Sequence, residues 1–370
     1  MALGLLVAAG TLTACGGDDT ESSSNSTGSS TNSTKEGTGE KSGKIALLLP
    51  ESKTARYESQ DRPNFEAKLK ELCADCEILY SNADQDAAKQ QQQAEAALTQ
   101  GAKVIVLDAV DSASAGSIVT RANQQKVPVI AYDRLIPDAE LAYYVTFDNP
   151  GVGKLQATAL TEKLSADGGK GPIVMINGAP TTPISAEFKK GAHSVIDTSG
   201  LKVAKEFDTP DWSPDKAQAQ MDQTITALGK DGFDGVYVAN DGMAGGAIAA
   251  MKAAGIDPKT VPVTGQDAEL PGIQRILAGE QYMTVYKAIK LQAEAAAQLA
   301  VNTLQGTEPP SGLVNGEQDN GATKVPSVFL KPVSVTVDNI NDTVIKDGFW
   351  KASDICTAEY ADACTEAGIQ

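Results

Sequence analysis

From Lys44 onward, apolar runs of six or seven residues alternate with longer stretches of helical composition. The first half reads KIALLLP (44–50), a helix ending near Cys73, EILYSN (77–82) and a Gln/Ala-rich helix over 86–100. VIVLDAV (104–110), a helix over 112–125, VPVIAYD (127–133) and YYVTFDN (143–149) follow. The second half opens with a helix over 151–164, then PIVMING (172–178), a helix over 185–197, LKVAKEF (201–207) and a helix over 215–228. It continues with GVYVAND (235–241), a helix over 243–254, VPVTGQD (261–267), a helix over 270–278, YMTVYK (282–287) and an Ala-rich core helix over 288–304. The strand runs are continuously apolar, as a parallel sheet covered on both faces requires. Two such series of βαβα units imply an α/β fold of two doubly wound parallel-sheet lobes.

Several of these strands end in charged or amide residues: Asp133-Arg134, Asn240-Asp241 and Asp267. In open α/β sheets, ligands bind beyond the carboxyl ends of the strands, so two lobes with such ends suggest a cleft between them. The alternative for Asp241, ahead of Gly242 and an Ala-rich helix, is that it caps that helix. Asn149-Pro-Gly-Val-Gly-Lys154 lacks the spacing and the Ser/Thr of a phosphate loop and reads as a hinge into a helix.

The N-terminus has a different pattern. Residues 2–12 (ALGLLVAAGTL) have the length of a signal-peptide apolar region, too short to span a bilayer. Leu12-Thr13-Ala14-Cys15 then resembles a lipobox, which makes 1–15 a lipoprotein signal and Cys15 the lipidated residue. No Lys or Arg precedes the apolar run, which points to a start codon inside a longer signal. Residues 16–43 contain no Val, Ile, Leu, Met or aromatic residue and read as a disordered tether. The body is thus expected outside the cytoplasm, anchored to the cell membrane through Cys15 and touching it by no other route.

Composition narrows the chemistry. With 31 basic against 48 acidic side chains the net charge is −17, which excludes a nucleic-acid partner held by phosphate contacts. The single histidine, His193, leaves little room for histidine triads or histidine metal sites. Apart from Cys15, four cysteines form two close pairs, and an even number outside the cytoplasm favours disulfides. Of the three connectivities, Cys73–Cys76 with Cys356–Cys364 is the simplest; the second spacing is too long for a usual zinc ribbon, and Cys73-Ala-Asp-Cys76 follows a helix where a redox motif would open one.

AYDRLI (131–136), VTFDNPGVGKLQA (145–157), VANDGMAGGAI (238–248), GQDAELPGIQRI (265–276) and MTVYK (283–287) carry a resemblance. Over about 44–348 the chain resembles the type I periplasmic sugar-binding proteins of ABC importers, and among them the D-xylose binders. The resemblance implies an N-terminal lobe of 44–148 plus 288–308 and a C-terminal lobe of 149–287 plus 309–370. Chain crossings would fall near Asp148-Asn149, Lys287 and Pro309-Pro310. It also implies rim contacts to sugar hydroxyls from Arg56, Asp133, Arg134, Asn240, Asp267 and Lys287. Arg and Lys donate, ionised Asp accepts and Asn does both, so the set can satisfy a hydroxyl rim. Trp212 matches the family's stacking tryptophan, and Tyr57 stands where a second one is common. Asn177 is a weaker lip candidate. Thr181–Ile184 departs from the Asp or Asn usual among xylose binders and leaves the sugar open.

The expected function is capture of a monosaccharide, D-xylose first, by a monomer that hands it to an ABC permease, with no cofactor, metal or catalytic residue. A lipid-anchored sugar sensor signalling to a kinase or chemoreceptor has the same fold and differs only in partner. A glycosidase using Asp133 and Asp267 is disfavoured, because the flanking Arg134 should hold Asp133 ionised.

Overall fold

The computed structural model describes residues 41–369 other than Lys170. Cys15 and all but the last three residues of the 16–43 segment lie outside the described residues. The described chain alternates as the apolar pattern requires. Strands β1 (Lys44–Leu49), β2 (Glu77–Asn82), β3 (Ala102–Leu107), β4 (Val129–Tyr132) and β5 (Tyr143–Phe147) pair in parallel in the order 2-1-3-4-5. Helices α1 (Arg62–Leu72), α2 (Ala87–Thr99) and α3 (Gly116–Gln124) connect the first four of them. One apolar cluster gathers Ile45, Leu47 and Leu49 with Phe65 and Leu69 of α1. Another joins Ala46 and Leu48 to α2 and α3. With both faces of β1 covered, its continuous run of leucines is explained.

The second lobe repeats the plan. Parallel strands β6 (Ile173–Asn177), β7 (Val203–Asp208) and β8 (Gly235–Val238) stand in the order 7-6-8. They alternate with α4 (Asn149–Ala166), α5 (Pro183–Ser199), α6 (Pro214–Leu228) and α7 (Asp241–Ala253), and α8 (Leu270–Leu277) follows. Helices α4 and α5 pack backbone to backbone. A Cβ on Gly153 would lie 1.9 Å from the Phe188 carbonyl oxygen, and one on Gly191 would lie 2.1 Å from that of Pro150. The VPVTGQD segment is not the regular strand that its pattern predicts. It joins β8 and β9 (Thr284–Tyr286) through the single bridges Val236↔Val263 and Gln266↔Val285. Val238 N donates at 2.9 Å to the Thr264 hydroxyl, where a regular ladder would use a backbone carbonyl.

After α9 (Ile289–Gln305), which packs on the first sheet, the chain does not cross at Pro309-Pro310. Strands β10 (Gly316–Asp319) and β11 (Lys324–Leu330) extend the first lobe's sheet instead, with β11 parallel to β5 from Ser327↔Tyr144 to Leu330↔Phe147. The expected assignment of 309–330 to the C-terminal lobe is therefore corrected. That stretch buries Val325 and Val328 in the first lobe, and the crossing falls between Leu330 and β12 (Val333–Val335), which pairs antiparallel with β9. The chain also leaves the first sheet between β5 and α4 and returns to it between β9 and α9.

The remaining chain ends in α10 (Ala352–Ile355) and α11 (Ala361–Glu366). Ile355, Cys364 and Ile369 pack with Ile273 and Leu277 of α8. Both disulfides follow the local pairing, Cys73–Cys76 after α1 and Cys356–Cys364 between α10 and α11. Among the described residues no group of His, Cys, Asp or Glu is placed to hold a metal ion, and no helix is long and apolar enough to cross a membrane.

Candidate functional site

The eight candidate residues all follow carboxyl ends of strands, and the fold brings them to one cavity. Arg56 and Tyr57 lie between β1 and α1, Asp133 and Arg134 directly after β4, Trp212 after β7 and Asn240 after β8. Asp267 closes the 261–267 segment, and Lys287 follows β9 at a crossing between lobes. Thr54, Ile184 and Gln266 complete the lining of a narrow cavity of about 20 Å³.

The charged rim is held by buried partners. Arg56 donates through Nε and Nη2 to both oxygens of Asp61 at 2.9 and 2.7 Å. Its Nη1 lies 3.3 Å from Asp133 Oδ1 and 3.7 Å from Asp267 Oδ1. Gln292 of α9 locks this group, accepting from Arg56 Nη2 at 2.9 Å and donating to Asp133 Oδ1 at 3.0 Å. Lys287 Nζ stands 3.0 Å from Asp267 Oδ1 and 4.0 Å from Asp133 Oδ1, above the rings of Phe147 and Phe188. It is buried, not the exposed charge that its place before a helix allows.

Asp133 itself occupies the left-handed region at φ 60°. Its carbonyl accepts from the hydroxyls of Tyr144 and Thr146, and its N–H donates to Val145 O at 2.8 Å, so the surroundings over-determine the conformation. Burial would raise its pKa, but Arg56, Lys287, Gln292 and Arg134 together outweigh burial and hold the carboxyl well below the usual range. Arg134, expected to do this, contributes least of the named groups. Its own partners are Ala109 O at 2.8 Å, Tyr57 Oη at 3.1 Å and Asp108 at 3.3 Å, so it positions the Tyr57 ring. An aspartate held this firmly ionised is no general acid.

On the other lobe, Trp212 is buried with φ 51°, unusual for so bulky a residue. Its ring lies against Gly178, where a Cβ would come within 1.9 Å of it, and meets Phe188 edge-on at 6.3 Å. Its Nε1 is buried without a hydrogen-bond partner in the protein, as is Gln266 Oε1. Asn240, not Asp241, caps α7: its Oδ1 accepts from Met243 N at 2.9 Å, which leaves the amide nitrogen to face a ligand. Asp241 is buried behind it and accepts from Glu269 N, Thr284 Oγ1 and Gln281 Nε2. Asn177 does not line the cavity, because it is drawn away to Glu206 at 2.9 Å.

Backbone and side-chain bonds join the lobes around the cavity. Ala55 N donates to Glu269 Oε1 at 3.2 Å, Ser112 N to Thr181 O at 3.2 Å and Gln85 Nε2 to Asp211 O at 3.0 Å. The departing 181–184 loop thus supplies Ile184 to the cavity wall and a carbonyl to the interlobe contact.

Sequence reasoning missed Asp61, Asp108 and Gln292. Asp108 follows β3 as Asp133 follows β4, so the strand-end signal was available. Gln292 is a fully buried amide in a helix whose other buried residues are almost all apolar. Asp61 ends a single π-helical turn, Tyr57–Asp61, that no sequence pattern marks.

Burial pushes Asp61 and Asp108 up, Glu269 well up and Asp241 up to about 7. A carboxyl whose folded pKa exceeds its unfolded value stabilises the fold most below the unfolded pKa and loses that contribution as pH rises through the folded one. Asp133 has the opposite sign, its contribution being lost only below about pH 4. On these groups the melting temperature is therefore expected to be highest near pH 4 and to fall from there towards pH 8. A scan that stays flat from pH 5 to 8 would contradict the burial of these groups.

A family profile described as a periplasmic binding protein domain matches residues 45–308. The D-xylose-binding periplasmic protein of Escherichia coli (strain K12) is 36% identical over 316 residues, covering 84% of this chain and 92% of that protein. The multiple sugar-binding periplasmic receptor ChvE of Rhizobium radiobacter is 33% identical over 330 residues, covering 85% and 92%. Among solved structures, an ABC transporter solute-binding protein from Clostridium phytofermentans with bound β-D-glucose superposes with a TM-score of 0.76. It shares 29% identity and covers 84% of this chain and 99% of that one. With the profile spanning most of the chain and two full-length relatives above 30% identity, this chain belongs to the periplasmic binding protein family, as a type I sugar-binding protein of ABC import and not an enzyme.

Proposed function

We propose that the chain captures D-xylose in the interlobe cavity, through the eight residues described, and presents it to an ABC permease as a monomer anchored by a lipid on Cys15. The convergence of both lobes on one small cavity, with two aromatic rings and charges of both signs, carries this reading. A pyranose has two largely apolar C–H faces and a rim of hydroxyls that both donate and accept. Tyr57 and Trp212 suit the faces. Arg56, Asp133, Asn240, Asp267 and Lys287 suit the rim, where a hydrogen bond to a charged group contributes about 1.5–3 kcal/mol. A few such bonds, less desolvation and ordering costs, support micromolar binding, at about −8 kcal/mol. Each lobe supplies part of the set, so ligand favours the closed arrangement over either lobe alone.

The xylose reading rests on the full-length relatives named for that sugar. Those named for multiple sugars, and the structure holding glucose, define the competing outcomes. Thermal shift of the chain against xylose, ribose, arabinose, glucose and galactose tests it. Sugar at 100 times its dissociation constant stabilises by about 2.7 kcal/mol. The expected result is the largest shift with xylose. A larger shift with glucose would move the assignment to a hexose and point to Tyr57 and the 181–184 loop. Loss of membrane association in Cys15→Ser tests the anchor.

A further inference from the structure

Four non-glycine residues in the left-handed region meet across the cleft: Asp84 (φ 55°) and Gln85 (φ 68°) on the first lobe, Asp211 (φ 61°) and Trp212 (φ 51°) on the second. Such conformations persist only where the surroundings fix them, and they gather at ligand clamps and switches. The first pair is fixed entirely from within its own lobe. Gln85 N donates to Pro50 O at 2.9 Å, Asp84 N to Asn82 Oδ1 at 2.9 Å, and Ser52 Oγ to Asp84 Oδ1 at 2.7 Å. This turn presents the half-buried Gln85 side chain as a ready-made donor.

The second pair is fixed differently. Ser213 N closes a turn around them by donating to Pro210 O at 3.3 Å, Lys216 holds the Asp211 carboxylate, and Gly178 and Phe188 hold the Trp212 ring. The peptide between the two residues, inside that turn, has Asp211 O as its oxygen. That oxygen accepts from Gln85 Nε2 at 3.0 Å, and among the described residues no other group donates to it.

We infer that Gln85 is a positioning residue: its bond to the 211–212 peptide forms on lobe closure and sets the Trp212 ring over the bound sugar. The inference rests on the reading of the cavity as a closing sugar site. Gln85 does not line that cavity, so its effect reaches the ligand only through Trp212. Because the bond spans the lobes, it slows opening and leaves encounter with the sugar unaffected.

Gln85→Glu tests this with no change of size, since a carboxylate cannot donate to a carbonyl. Gln85→Asn is the second variant: it falls one methylene short, and asparagine tolerates the left-handed backbone. Both are measured beside the wild type with the sugar that gives the wild type its largest thermal shift. The expected result is an at least tenfold faster dissociation rate in Gln85→Glu and a smaller rise in Gln85→Asn, with association rates within twofold of wild type. The melting temperature without sugar stays at the wild-type value. In a Trp350→Phe background, the fluorescence change of Trp212 on saturation shrinks in both variants. Unchanged dissociation and fluorescence in both would overturn the positioning role while leaving the sugar site intact. A wild type that binds none of the sugars would bring down the reading of the cavity and this inference with it.

Discussion

Arg56→Ala is expected to lower the unfolding free energy by about 3–5 kcal/mol, the usual cost of removing one partner from a buried ion pair. The guanidinium is buried and holds Asp61 by both oxygens, with Gln292 sharing Nη2 and Asp133 on Nη1. Asp133 would keep Lys287 and Gln292 nearby. Asp61 would keep only the Tyr132 hydroxyl among its described side-chain partners, and burial already pushes its carboxyl upward. The loss therefore falls mainly on an uncompensated Asp61 carboxylate, which sets two further expectations. Removing the charge as well, by adding Asp61→Asn, should recover part of the stability. Lowering the pH toward 4 should shrink the difference from wild type as Asp61 takes up a proton. Arg56→Lys restores the charge but not the two parallel hydrogen bonds, and should fall between wild type and alanine. Urea titration of the sugar-free wild type and the three variants, at pH 7 and at pH 4, measures these differences. A loss below about 1 kcal/mol for Arg56→Ala would mean that the network is dispensable to the fold and is retained for the ligand alone.

That Arg56 would be both a ligand contact and a structural hub was not visible in the chain. The strands and helices of both lobes were, because a sheet covered on two faces demands uninterrupted apolar runs, and from Lys44 onward such runs mark the strands. The exceptions have local causes. Strand β10 reads Gly-Glu-Gln-Asp at an exposed sheet edge, and Pro326 interrupts β11 just before its pairing with β5 begins, so neither carries the apolar signal. The third crossing was misplaced for that reason. The eight candidate residues converge because topology puts every carboxyl strand end on the same side of each sheet, so a reader who finds the strand ends finds the cavity. Sequence does not reveal which buried group each will face. Arg134 is adjacent to Asp133 yet turns to Asp108, while Asp133 takes its cations from residues 77 positions before it and 154 after it. Adjacent residues just past a strand diverge to opposite sides, and only the packed fold assigns their partners.

Trp212→Ala is expected to weaken sugar binding by about 2–3 kcal/mol, roughly 30–150-fold, the range of a buried aromatic anchor at the centre of a binding site. Removing so large a side chain from contact with Phe188 and Gly178 also destabilises the lobe, so affinity must be measured calorimetrically with the active fraction fitted. Two quieter substitutions separate the ring's contributions. Trp212→Phe keeps an aromatic face but loses the buried, unpartnered Nε1, and should give up only the part of the affinity that this donor supplies. Gly178→Ala changes no cavity-lining residue, yet its Cβ would lie 1.9 Å from the Trp212 ring, so the indole must shift. A loss in Gly178→Ala comparable to that in Trp212→Ala shows that the height of the ring above the sugar is what matters. Full affinity in Gly178→Ala with a loss in Trp212→Ala shows a ring free to tilt, its area counting for more than its position. Full affinity in all three would remove Trp212 from the site and leave recognition to the charged rim.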